Sequence, residues 1–62
     1  MFIEFKERLI NLDEIKYAVR VESFNSFGID IHLKESKIIE IIFERESDRD
    51  DSFFILQNIL IK

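Results

Sequence analysis

Apolar residues recur at every second position over most of the chain and at helical spacing only near its C-terminal end. The first segment, Phe2-Ile3-Glu4-Phe5-Lys6, sets Ile3 and Phe5 against Glu4 and Lys6, the alternation of a half-buried strand. A polar break at Lys6-Glu7-Arg8 leads to Leu9-Ile10-Asn11-Leu12, which reads as the returning strand of a short hairpin. The break holds no residue preadapted to positive φ, so its turn chemistry specifies that hairpin weakly. Asn11 to Glu14 forms a local turn, because Asn and Asp side chains bond nearby backbone amides.

The cleanest alternation follows. Ile15, Tyr17, Val19 and Val21 are assigned to the core side, and Lys16, Ala18, Arg20 and Glu22 to solvent. The run Ser23-Phe24-Asn25-Ser26-Phe27-Gly28 contains the only glycine and is expected to be a four- or five-residue hairpin loop. Beyond it Phe27, Ile29, Ile31 and Leu33 alternate with Gly28, Asp30, His32 and Lys34, and Lys34-Glu35-Ser36 turns the chain again. The next strand is apolar on both sides. Ile39, Ile41 and Phe43 share one face, while Ile38 and Ile42 share the other, interrupted by Glu40. A strand apolar on both faces is usually covered on both faces.

The cover expected from the sequence is a C-terminal helix over about 51–61, with Phe53, Leu56, Ile59 and Leu60 at helical spacing. Acids favour a helix N-terminus, so Asp50, Asp51 or Ser52 is expected to cap it. The β-branched and aromatic content keeps a strand open as the alternative for this segment. The whole predicts a single α+β domain over 1–62. Its antiparallel β-meander has three to four strands, at about 2–6, 9–12, 15–23, 27–34 and 37–45 with the first pair as a hairpin, and one helix packs on the sheet.

Composition sharpens this picture. The chain has 62 residues, 47% of them apolar, with no Cys. Disulfides, thiolate metal sites and cysteine nucleophiles are therefore excluded. No apolar run reaches the roughly 18 residues of a bilayer span, and the acidic opening lacks the apolar stretch of a signal peptide, so a cytoplasmic protein is expected. Burial in so small a core is nearly cancelled by an ordering cost of about 1.5 kcal/mol per residue. Oligomerisation is the supplement left. After the core faces are assigned, Phe2, Phe24, Ile38, Ile42, Phe54 and Ile61 remain over. They are the candidate interface, for a protein partner or for self-association as a homodimer or larger assembly. A helix covering the Ile38 and Ile42 face is the competing reading.

Chemistry is sparse. His32, the only histidine, falls on the polar side of its strand, and a base needs a nucleophile and an orienting group besides. The serines all sit in expected turns or caps, where backbone bonding explains them. No Gly-rich phosphate loop exists, and Asp48, Asp50 and Asp51 lack the Gly and terminal Glu of a calcium loop. No catalytic residue, cofactor or metal is expected. The net charge of −4 disfavours nucleic acid. A basic sheet face of Lys6, Arg8, Lys16 and Arg20 is the alternative reading. The expectation is a small non-enzymatic interaction module, an accessory or inhibitory subunit of a bacterial, phage or plasmid system.

Overall fold

A computed structural model describes residues 1–61. Its elements run β1 (Phe2–Phe5), β2 (Arg8–Asn11), β3 (Ile15–Ser23), β4 (Ser26–Leu33), β5 (Ile38–Phe43) and α1 (Glu46–Leu60). Strands β3, β4 and β5 form an antiparallel meander with β4 in the centre, and β1 and β2 pair in a separate hairpin. Helix α1 packs on all three strands of the meander. The architecture is α+β, as the pattern predicts, with three strands in the main sheet.

The β1–β2 hairpin closes through two residues, Lys6 and Glu7, because Phe5 faces Arg8. Both loop residues adopt positive φ, 46° and 70°. This mirror-image turn matches the twist of paired strands, but it strains side chains that carry a Cβ. Tertiary contacts hold it in place. Lys6 Nζ donates to the carbonyl of Ile42 at 2.5 Å and lies 4.9 Å from the ring centre of Phe43. Phe5 and Ile10 from the hairpin are buried in the same core as the main sheet, with Ile3 and Leu12 packed against it.

In β3 the structure reverses the expected faces. Ile15 pairs with Leu33, but Tyr17 pairs with His32, so one extra residue is bulged at Lys16. A bulge inverts the side-chain parity beyond it. Ile15 and Ala18 are therefore buried, whereas Tyr17 and Val19, assigned to the core from the alternation, are exposed and Val21 is half-buried. The register then stacks three rows beneath α1: Ala18-Ile31-Ile39, Arg20-Ile29-Ile41 and Glu22-Phe27-Phe43. Ile29, Ile31 and Leu56, the last from the helix, are the most deeply buried side chains.

Two further expectations change. The β3–β4 turn is only Phe24-Asn25, since Ser23 faces Ser26. Gly28 lies inside β4, as the predicted strand over 27–34 has it, in ordinary extended backbone. It is there because a Cβ would stand 3.0 Å from Val21 Cγ2 and 3.2 Å from the Ile41 carbonyl oxygen. The helix also begins at Glu46, about a turn and a half before the predicted start, with Arg45 at its N-cap position. Asp50, Asp51 and Ser52 are inside it and do not cap it. The polar run looked like a loop because the apolar stripe is missing from the first turns. An arginine takes its place.

Candidate functional site

That arginine, Arg49, is 2% exposed, the one charged residue in the interior among the described residues. Its position on α1 continues inward the stripe of Phe53, Leu56 and Leu60, a spacing that follows from the helical period. Nε donates to Asp50 at 2.7 Å and Nη1 to the Val21 carbonyl at 2.9 Å, while Nη2 reaches Glu22 at 3.3 Å and Glu46 at 3.5 Å. Burial opposes the charge, but the hydrogen bonds to Asp50 and Glu22 outweigh it and hold the guanidinium above its ordinary pKa. The bond from Arg49, with help from Arg20, depresses the Asp50 carboxyl below its ordinary value. Arg20 lies 3.4 Å from Asp50 and 5.2 Å from the Phe53 ring centre, on the helix side of the sheet. This constellation is structural. It fastens the start of the helix to the edge strand β3.

The opposite face of the sheet is where unpartnered surface collects. Alternation and register place three rows there: Tyr17-His32-Ile38, Val19-Asp30-Glu40 and Val21-Gly28-Ile42, closed at one end by Ser23 and Ser26. Nothing in the described chain packs over them. Tyr17 is 49%, Ile38 57% and Ile42 45% exposed. The covering helix envisaged for Ile38 and Ile42 lies on the other side, because the Ile39, Ile41 and Phe43 face is continuous with the more apolar face of β4. His32 is not simply solvated: its ring stacks on Tyr17 with centres 4.4 Å apart. The Ser23 and Ser26 hydroxyls are hydrogen-bonded to each other at 2.6 Å.

A groove of about 120 Å³ opens on this face, lined by Val21, Glu22, Ser23, Ser26, Gly28, Asp30, Glu40 and Ile42. Its chemistry is acidic within an apolar frame. Asp30 and Glu40 sit directly opposite each other on neighbouring strands. Asp30 Oδ1 is fully buried and has no hydrogen-bond partner. In the sequence Glu40 stands out only as an interruption of an apolar face, with nothing local to pair it with Asp30. The signal was available in the hairpin itself, since closing β4 onto β5 around residues 34–37 brings the two into register.

The other members of the predicted interface are dispersed. Phe54 and Ile61 are exposed at the helix and its C-terminal end, Phe2 on the outside of the β1–β2 hairpin, and Phe24 at the tip of the β3–β4 turn, 92% exposed. Only Ile38 and Ile42 share a face. Three basic residues of the alternative reading are engaged in the fold. Lys6 is engaged with β5, Arg20 is paired with Asp50 under the helix, and Lys16 sits at the bulge.

A wider hollow of about 460 Å³ lies between Lys6, Phe43 and the first turns of α1, with Glu44, Arg45, Asp48, Asp51 and Ser52 on its walls. It mixes both charges and lies away from His32. Among the described residues no three His, Cys, Asp or Glu side chains are grouped to hold a metal ion. No helix of the described residues is long and apolar enough to cross a membrane. Comparisons with protein-family models, with curated proteins and with solved structures find no match for the chain.

Proposed function

We propose that the protein is a small, non-enzymatic protein–protein interaction module that docks through the open face of its sheet. The observation that carries this reading is the contrast across one strand. Ile39, Ile41 and Phe43 point beneath the helix, while Ile38 and Ile42 stand out on a face that also presents Tyr17 and Val19. Scattered apolar residues need no explanation on a small protein, but several large ones gathered around the polar centre of one sheet face suit an interaction surface. The role of accessory or inhibitory subunit, in the cytoplasm, suits the size and the surface, and self-association is the competing form of the same docking.

The test is the double variant Ile38→Lys, Ile42→Lys. Both positions are largely exposed, so the variant is expected to fold with unchanged circular dichroism. Sedimentation mass and retained partner are to be compared with the unaltered protein. Loss of the oligomer or of the partner in the variant is the expected result; identical mass and identical retained species would overturn the assignment.

A further inference from the structure

We infer that the open face receives an amphipathic helix of another protein, with one arginine in its apolar stripe seated on Asp30 and Glu40. The inference rests on the docking reading above and names the partner's chemistry. Three features of the face converge on it. First, the charge pair is incomplete. Like charges directly opposite on neighbouring strands destabilise a sheet, and the Asp30 and Glu40 carboxylates both line the open groove, where an incoming cation meets them. Asp30 and Glu40 take part in none of the ion pairs formed by the described residues, which all involve Arg20 or Arg49. A guanidinium has the fork of donors that satisfies two neighbouring carboxylates at once.

Second, the frame is apolar on both sides of the pair. Tyr17, Val19 and Val21 run along β3 and Ile38 and Ile42 along β5, with Gly28 keeping the line between them low. Third, the size fits one helix. Three strands about 4.8 Å apart and three rows about 7 Å apart make a footprint of roughly 14 by 20 Å. A helix is about 10 Å across with its side chains, whereas a stable globular interface covers ~800 Å² on each partner. A second copy of the chain suits the face poorly. A two-fold pairing centred on it sets the same patch on itself and stacks Asp30 and Glu40 on their own equivalents.

The test uses the full chain, isotopically labelled, and three synthetic leucine-rich amphipathic helical peptides. These carry arginine, its neutral isostere citrulline, or glutamate at the centre of the apolar stripe. Binding is followed by amide chemical shifts. The expected result is saturable shifts at Val19, Asp30, Glu40 and Ile42 with the arginine peptide, and at least about tenfold weaker binding of the citrulline peptide. The double variant Asp30→Asn, Glu40→Gln is expected to remove that preference. The variant Asp13→Asn, Glu14→Gln, which has the same net charge, is expected to keep it. Equal binding of all three peptides on this face would overturn the arginine assignment and leave the docking reading standing. Shifts confined to other surfaces, or none, would overturn both. Concentration-dependent dimerisation that protects this face would replace the helix by a second copy.

Discussion

On the helix side of the meander, Ile29, Ile31 and Ile41 are sealed beneath Leu56, each with at most 3% of its surface left to water. On the other side of the same strand, Ile38 and Ile42 are about half exposed. Residue type does not separate the two faces, since isoleucine supplies both. What separates them is the middle row. Beneath the helix the centre is Arg20-Ile29-Ile41, with its arginine at the rim and tied to Asp50; on the open face it is Val19-Asp30-Glu40. A helix laid on the second face by this chain would bury two carboxylates, and α1 is acidic in its first turn, with Glu46 and Asp48. The chain covers the face it can cover without burying unpaired charge. The comparison teaches that one small sheet holds a covered face and an open face, told apart by two acids.

The contrast is tested most severely by truncating one isoleucine-sized side chain on each side. Leu56→Ala is expected to cost about 2–5 kcal/mol, the range for a fully buried leucine. In a domain this small that approaches the whole stability, and urea denaturation will show a midpoint near zero denaturant. Ile42→Ala on the open face is expected to move stability by only about 0.5 kcal/mol. Comparable losses would mean that the open face belongs to the folding core.

Gly28→Ala is the next largest change and cuts across the division, because Gly28 belongs to the open face by position. The added methyl meets Val21 Cγ2 and the Ile41 backbone, and the carbonyl cannot yield as a side-chain tip does. The expected loss is about 1–3 kcal/mol, the cost of overpacking. A neutral result by thermal melting would show that Val21 swings clear and that the central trough of the open face is wider than it stands.

The smallest effect concerns the rim of the covered face. The Asp50 carboxyl is depressed by its bond from Arg49, so its contribution is complete above the unfolded aspartate value of about 3.9. It is lost as pH falls through the lower folded value. The Asp50 side chain is 41% exposed, and solvent screens its ion pairs. Melting temperatures of the unaltered protein and of Asp50→Asn are therefore expected to differ at pH 7 and to converge as pH drops below about 4. A gap that persists into acid would assign the difference to packing. Arg49, held above its ordinary value, titrates nowhere in this range.

Periodicity reports most of the fold. The alternations of β1, β4 and β5, the antiparallel order and the Phe53, Leu56 and Leu60 stripe all read directly from the residues. The misreadings come from single residues whose effect is not local. The bulge at Lys16 carries no composition signal, yet it exchanges the two faces of everything downstream in β3. Lys6 and Glu7 enter positive φ because Lys6 finds Ile42 and Phe43, partners distant in sequence. Arg49 disguises the first turns of α1 as a polar loop, although its buried surroundings are themselves assembled only in the fold. At the candidate site, Ile38 and Ile42 stood out as surplus. Asp30 and Glu40 did not, because each looks like ordinary solvated charge until the register sets them side by side.

The two cations that hold the flanking elements have a wider consequence. Lys6 bonds the Ile42 carbonyl on β5, and Arg49 bonds the Val21 carbonyl on β3. Val21, Gly28 and Ile42 form one row, so both outer strands are stoppered at the same level from opposite sides. An open strand edge is a template on which further strands add, and that is how small sheets grow into fibres. Here lateral growth would first have to displace a lysine and a buried arginine. Both edges of the meander are thereby set against edgewise polymerisation, a growth that has no end of its own.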